Sequence, residues 1–286
     1  MNIASFVRNG SEGYGLVSNG GIIDCSTRFG PSFPTLKSVL EQDCIFMLEP
    51  ATIDEPDFQL DEVTLLPPIP NPEKTICVGV NYRDHLEETG RPKPEYPMLF
   101  LRLPNGQVGH GSPLVRPKIS DRFDFEGELA VVIGKGGRYI TPENAMNHVA
   151  GYSCFNDGSI RDWQRHTSQF TPGKNFPQTA AFGPWIVTPD DIENLSDVSI
   201  QTRLNGDLMQ TSTLSQLIFD VPALIAYCSS FTELSAGDVI VTGTPGGVGA
   251  FRSPPVWMKP GDTIEVEISG VGSLRNQVID EMSRAP

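Results

Sequence analysis

Positive charge is scarce in this sequence: 21 Lys and Arg stand against 35 Asp and Glu, for a net charge of −14. That balance argues against nucleic acid or an anionic membrane as partner, although a few local cations and a metal can still receive a small anion. Long apolar runs are absent too. None approaches the ~18 residues that span a bilayer, and the opening stretch MNIASFVRNG lacks the charged-then-apolar pattern of a secretion signal. The 5 cysteines are odd in number, widely spaced and form no C-x-x-C. Cys25, Cys44, Cys77, Cys154 and Cys228 therefore read as reduced, buried thiols of a cytoplasmic protein. The sequence has no G-x-S-x-G, no H-E-x-x-H and no kinase-like set. The Gly-rich run from Thr242 to Gly249 matches neither the dinucleotide nor the P-loop pattern. With those classes excluded, the chemistry falls to carboxylates.

What is present is ordinary for a globular protein: 38% hydrophobic and 20% charged residues. The 28 Gly and 25 Pro are scattered, which favours short strands and turns over long helices. Residues 1–70 read as a small β-rich unit, with Asn-Gly and Gly-Gly turns between short apolar runs. One helix is expected over residues 35–46, with Leu36, Val39 and Leu40 on one face. The segment 66–73 carries four prolines and reads as a stiff linker. The chain thus divides into 1–70, a small N-terminal β-rich domain, and 71–286, the main domain. Near the far end, Leu214, Leu217, Ile218, Val221, Leu224, Ile225 and Cys228 follow helical spacing across Pro222. This predicts a core helix broken or kinked at the proline.

Glu126 and Glu128 head the apolar run Leu129–Ile133, which is short, β-branched and strand-like. Residues two apart on a strand share a face, so the carboxylates emerge side by side, a costly arrangement unless a cation lies between them. A second apolar run, Val149–Phe155, ends at Asn156-Asp157 and can bring a third carboxylate there. Three hard oxygen ligands suit Mg²⁺, with Mn²⁺ or Ca²⁺ as alternatives, rather than zinc; solvated charges at a sheet edge are the bland alternative. Upstream, Asn81 is a candidate N-cap for a short helix carrying His85 and Glu88, neighbours at i and i+3. A carboxylate beside a histidine orients a general base, or is merely a surface pair. Residues 90–97 are Pro-rich, so 81–97 is a candidate lid. Downstream, Ser159 can cap a turn on which Arg161 and Gln164 face the same way, suited to grip a carboxylate. Lys174 lies in a turn-rich loop, where a lysine is usually just solvated. His110 receives no role.

In their order, the phrases ICVGVNYRDHLEE, DFEGELAVVIGKG, GYSCFNDGSIRDWQ, TPGKNF, FGPWIVT and VIVTGTPGGVG resemble the fumarylacetoacetate hydrolase family from about residue 72 to 283. The resemblance implies a β-rich α+β fold, a rolled sheet or sandwich with few helices, usually assembled as a homodimer. It implies a divalent metal, Mg²⁺ first, on Glu126, Glu128 and Asp157. His85 and Glu88 are implied to activate water, with Lys174 as a further catalytic residue. Arg161, Gln164 and Thr244, together with Tyr82 and Arg102, are the implied substrate-binding residues. Family members often carry Val or Tyr after Asn-Asp, where this chain has Gly158, and Lys where it has Arg102. The implied substrate is a small anionic 2-oxo or 2,4-dioxo acid. The implied reaction cleaves C3–C4 of an acylpyruvate, such as fumarylpyruvate or a 2,4-diketo-3-deoxy sugar acid, to pyruvate and a carboxylic acid through a metal-bound enolate. Oxaloacetate decarboxylation, 2-hydroxyhepta-2,4-diene-1,7-dioate isomerisation and a non-catalytic Ca²⁺-binding domain are the alternatives.

Overall fold

The strand Gly127–Ile133 is the spine of the molecule, and all seven of its residues are buried. In the computed structural model, which describes residues 1–282, this strand is covered on both faces. Leu129, Val131 and Ile133 pack with Ile200, Leu204, Val266 and Ile268 of a second sheet. Ala130 and Val132 pack in a separate cluster with Ile3, Leu16, Ile23, Leu36 and Leu40 from the first 40 residues. A strand buried on both sides needs an unbroken apolar run rather than alternation, which is what the sequence carries there.

Among the described residues the strands form a 12-stranded sheet, a 5-stranded sheet and a 2-stranded ribbon. In the large sheet Gly127–Ile133 lies between Val149–Asn156 and Val239–Val241, antiparallel to both. Val239–Val241 runs parallel to Thr75–Gly79, which pairs with the edge strand Met98–Arg102. On the other side, Ala180–Val187 joins Val149–Asn156 to Asn2–Arg8 of the N-terminal region. The smaller sheet, Asp207–Thr213, Ser199–Leu204, Thr263–Ile268, Gly272–Asp280 and Leu114–Arg116, packs over the odd-numbered face of the spine. The result is the β-rich sandwich with few helices that the family resemblance implies. Among the described residues no helix is long and apolar enough to cross a membrane.

Two expected helices are shorter than their apolar spacing suggests. The N-terminal one covers only Leu36–Glu41, capped reciprocally by Thr35 and Ser38, and 3₁₀ turns follow from Ile45. The C-terminal one does not run through Pro222. It starts at Val221 behind the N-cap Asp220, so the proline sits in the first turn, where its missing N–H is harmless. Leu214 and Leu217 belong to a separate 3₁₀ turn and its end, yet both join the core as expected.

Candidate active site

Strand register assembles the acidic cluster. Gly127 stands opposite Asn156, Asn156 Oδ1 accepts the Glu126 N–H at 3.1 Å, and the Asp157 N–H donates to the Glu126 carbonyl at 2.8 Å. Candidate ligand oxygens of Glu126, Glu128 and Asp157 consequently lie within 4.8 Å of one another, and all three side chains are buried. Gly127 makes this approach feasible: a Cβ there would stand 2.1 Å from Thr202 Oγ1 of the smaller sheet. Gly158 has a similar origin, because a Cβ would meet the Thr179 carbonyl at 2.0 Å.

Three buried cations enclose the cluster. Lys174 is 1% exposed rather than solvated. It ends the short helix Thr171–Lys174 and donates to both Glu126 and Asp157. Arg102 pairs with Asp157 and donates to the Gly158 carbonyl and Thr179 Oγ1, each at 3.1 Å. Arg161 donates from Nε to Asp124 at 2.7 Å and from Nη1 to Gln164 Oε1 at 3.0 Å, while Nη2 stands 2.6 Å from Glu126 as an ion pair. Its helix, Arg161–Gln164, is not capped by Ser159, which pairs in a short strand and donates to the Asp157 carbonyl instead.

Four carboxylates, counting Asp124, thus face three cations, and the imbalance falls on Glu128. Burial, followed by the Asp157 and Glu126 charges, pushes Glu128 well above the usual carboxylate range. Burial also opposes charge on Glu126, but the Arg161 and Lys174 cations outweigh it and hold that carboxyl below its ordinary value. Glu128 accepts a hydrogen bond from the Gly243 N–H at 2.6 Å. An all-oxygen donor set with an unbalanced buried negative charge fits a hard divalent cation.

The helix Arg83–Thr89 brings His85 over this cluster. Its N-cap residue is Tyr82. Asn81 is instead a buried brace that donates to the Phe219 and Thr242 carbonyls at 2.9 and 2.7 Å and accepts the Phe219 N–H at 2.8 Å. His85 Nδ1 lies 2.8 Å from Glu88 Oε2, and Glu88 Oε1 accepts the Gly247 N–H at 3.1 Å. A carboxylate only accepts, so Nδ1 carries the proton and Nε2 is left as a base. Phe251 sets its ring edge-to-face with the imidazole, centroids 5.9 Å apart.

These groups line one cavity of about 90 Å³, with His85, Lys174, Thr244 and the three carboxylates on its wall and Arg161 and Gln164 beside them. Two residues expected at the substrate do not line it. Arg102 lies behind Asp157 and orients it, and Tyr82 is fully buried with its hydroxyl unpaired. Thr244 is in place, but its hydroxyl hydrogen is committed. Gln210 Oε1 must accept the Gly127 N–H, at 3.0 Å, and its Nε2 then donates to the Pro245 carbonyl and to Thr244 Oγ1, both at 2.8 Å. Thr244 in turn donates to the Gly127 carbonyl at 2.9 Å, so it offers the cavity only a lone pair.

Sequence reasoning missed Gln210 and Asp124. Asp124 binds Arg161 and accepts the Gly249 and Ala250 N–H groups at 2.8 and 3.0 Å. A signal for Asp124 was present, since it precedes Glu126 by two and shares its strand phase; Gln210 carried none. His110, left without a role, accepts the Arg275 N–H at 3.2 Å away from the cavity.

The fumarylacetoacetate hydrolase C-terminal family model matches residues 74–279. A Xenopus laevis protein named oxaloacetate tautomerase fahd2, mitochondrial, is 41% identical over 93% of this chain and 85% of its own length. Among solved structures, a fumarylacetoacetate hydrolase from Exiguobacterium antarcticum is 37% identical, with a TM-score of 0.84 over 98% of this chain and 100% of its own. The maleylpyruvate hydrolase of Sphingobium sp. SYK-6, in complex with manganese(II) and pyruvate, is 28% identical, with a TM-score of 0.82 over 99% of this chain and 100% of its own. A buried three-carboxylate cluster beneath a His–Glu pair, a β-rich sandwich and a match across most of the sequence lead to one conclusion: the chain belongs to the fumarylacetoacetate hydrolase family of enzymes.

Proposed function

We propose that the chain is a divalent-metal-dependent acid–base enzyme that interconverts the keto and enol forms of oxaloacetate. The observation that carries this reading is the His85–Glu88 pair, which leaves an oriented base at the wall of a carboxylate-lined cavity. Glu126, Glu128 and Asp157 would hold the cation, Mg²⁺ or Mn²⁺, whose chemistry is to polarise a 2-oxo group as a Lewis acid. His85 Nε2 removes a proton from C3, the C–H electrons become the C2–C3 double bond, and the oxygen takes a proton from solvent. The reverse steps restore the ketone. Gln164 has its Oε1 engaged by Arg161, so its amide N–H groups are left for the substrate carboxylate. Lys174 holds Glu126 and Asp157 in position. The relative named oxaloacetate tautomerase supports this choice of substrate.

The second reading is cleavage of C3–C4 in a 2,4-dioxo acid, with His85 taking its proton from the water that attacks C4. It is favoured by the pyruvate-bound maleylpyruvate hydrolase among the similar structures. The deciding experiment incubates purified protein and Mg²⁺ or Mn²⁺ with oxaloacetate, following loss of enol absorbance, and with acylpyruvates, following pyruvate release. Tautomerisation should fall by ~10²- to 10⁴-fold in His85→Ala, the usual contribution of a positioned base. Pyruvate release from an acylpyruvate, with oxaloacetate interconverting only at its uncatalysed rate, would replace the first reading with the second. No turnover of either, with tight Ca²⁺ binding, would favour a non-catalytic domain.

A further inference from the structure

Two arginines on the cavity wall are unlike the others. Arg161 and Lys174 are buried and already engaged by the site's own carboxylates. Arg91 and Arg165 line the same cavity, are exposed, and pair with no carboxylate among the described residues. Arg91 follows the helix that carries His85, and its Nη1 donates to the Met98 sulfur at 3.9 Å. Arg165 follows the helix of Arg161 and Gln164, and its guanidinium stands 6.0 Å over Phe251, the ring packed against His85. In a chain of net charge −14, two unpaired guanidinium groups on one cavity wall are available to an incoming anion.

Charge explains why an anion needs them. The inner cluster has four carboxylates and three cations, so a divalent cation there leaves a single formal positive charge, enough to balance one substrate carboxylate. A second carboxylate has no partner in that inner shell. We infer that Arg91 and Arg165 form a distal anion subsite that selects dicarboxylic 2-oxo acids over monocarboxylic ones. This inference rests on the proposed function for the 2-oxo acid head alone; reading the second charge does not depend on which bond is made or broken.

The test is competitive binding to the Mg²⁺-loaded protein, with oxaloacetate as the two-charge probe and pyruvate as the one-charge probe. Arg91→Gln and Arg165→Gln should each weaken oxaloacetate by ~5- to 10-fold, about what one partly exposed ion contact supplies, and shift pyruvate by less than ~2-fold. Arg→Lys at either position should restore part of the loss, and added salt should weaken oxaloacetate more than pyruvate in the wild type. Equal losses for both probes, or unchanged oxaloacetate binding in the double variant Arg91→Gln/Arg165→Gln, would overturn the subsite. Because binding is read rather than turnover, charge-selective binding without tautomerisation would sink the proposed reaction and leave the subsite standing.

Discussion

Glu128 has an anomalous position for a single side chain: buried at 2% exposure, crowded by two like charges and, among the described residues, contacted by no cation in an ion pair. Its removal should therefore have opposite effects with and without metal. Glu128→Gln relieves a buried repulsion, so the metal-free variant should melt higher than metal-free wild type. It should lose most of the extra stability that Mg²⁺ confers on the wild type. Calorimetry with and without EDTA reads both signs, and a variant that keeps the full Mg²⁺ increment would refute Glu128 as a ligand. Gly127 makes a complementary point. Its missing Cβ accommodates Thr202 at 2.1 Å, so Gly127→Ala forces the spine and the smaller sheet apart. We expect a loss of ~1–3 kcal/mol in chemical denaturation, the usual range for overpacking, together with weaker metal binding as the glutamates move. Gly158 is fixed by the Thr179 carbonyl in the same way, which explains why a bulky residue cannot be placed there without shifting that segment.

At the scale of the element, the helix Arg83–Thr89 works through Glu88, which joins the imidazole to the Gly-rich loop at Gly247. In Glu88→Gln the amide oxygen can keep the Gly247 bond only by turning its NH₂ toward His85. That makes Nδ1 the acceptor and puts the proton on Nε2, where the base is needed. The turnover rate should fall by ~10³-fold or more, as wrong-tautomer variants of other histidine bases do, with the melting temperature little changed. Another element-level tie joins the parallel strands Thr75–Gly79 and Val239–Val241. Asp238, fully buried, accepts the Lys74 and Ser235 N–H groups at 2.9 and 2.8 Å and pairs with the Lys74 ammonium at 2.9 Å. Burial opposes the charge on Lys74, but Asp238 outweighs it and raises the ammonium above its ordinary value. A raised lysine contributes stability that is complete below its unfolded value, about pH 10.4, and is lost as pH climbs through the folded one. Lys74→Met should therefore lack a loss of stability that wild type shows above about pH 10, measured as denaturation midpoints across that range.

For the whole molecule, the cluster predicts metal-dependent stability. A cation bound only by the folded state at a hundredfold excess over its Kd adds about 2.7 kcal/mol, which for a chain of this size is a rise of ~4–5 °C in Tm. Mg²⁺ and Mn²⁺ should both give it and EDTA should remove it; melting indifferent to both ions would argue against the three-carboxylate site. The N-terminal region participates in the same architecture, since Asn2–Arg8 pairs with Ala180–Val187 and Ile3, Leu16 and Ile23 cover the even-numbered face of the spine. The division near residue 70 is kept as a proposal, supported by the family match beginning at residue 74.

The sequence by itself determined the spine, the paired phase of Glu126 and Glu128, and the i, i+3 relation of His85 and Glu88. Each depends only on short-range geometry: the two-residue repeat of a strand or the turn of a helix. The run ending at Asn156-Asp157 allowed a third carboxylate, and the family phrases tied Asp157 and Lys174 to one site. Only the tertiary structure decided that Lys174 is buried, that Arg102 orients Asp157 rather than facing the cavity, and that Gln210, from the smaller sheet, commits the Thr244 hydroxyl. It also separated the engaged cations Arg161 and Lys174 from the unpaired Arg91 and Arg165. Pairing partners 17 to 83 residues apart come together through sheet register and sheet-on-sheet packing, which no local pattern encodes.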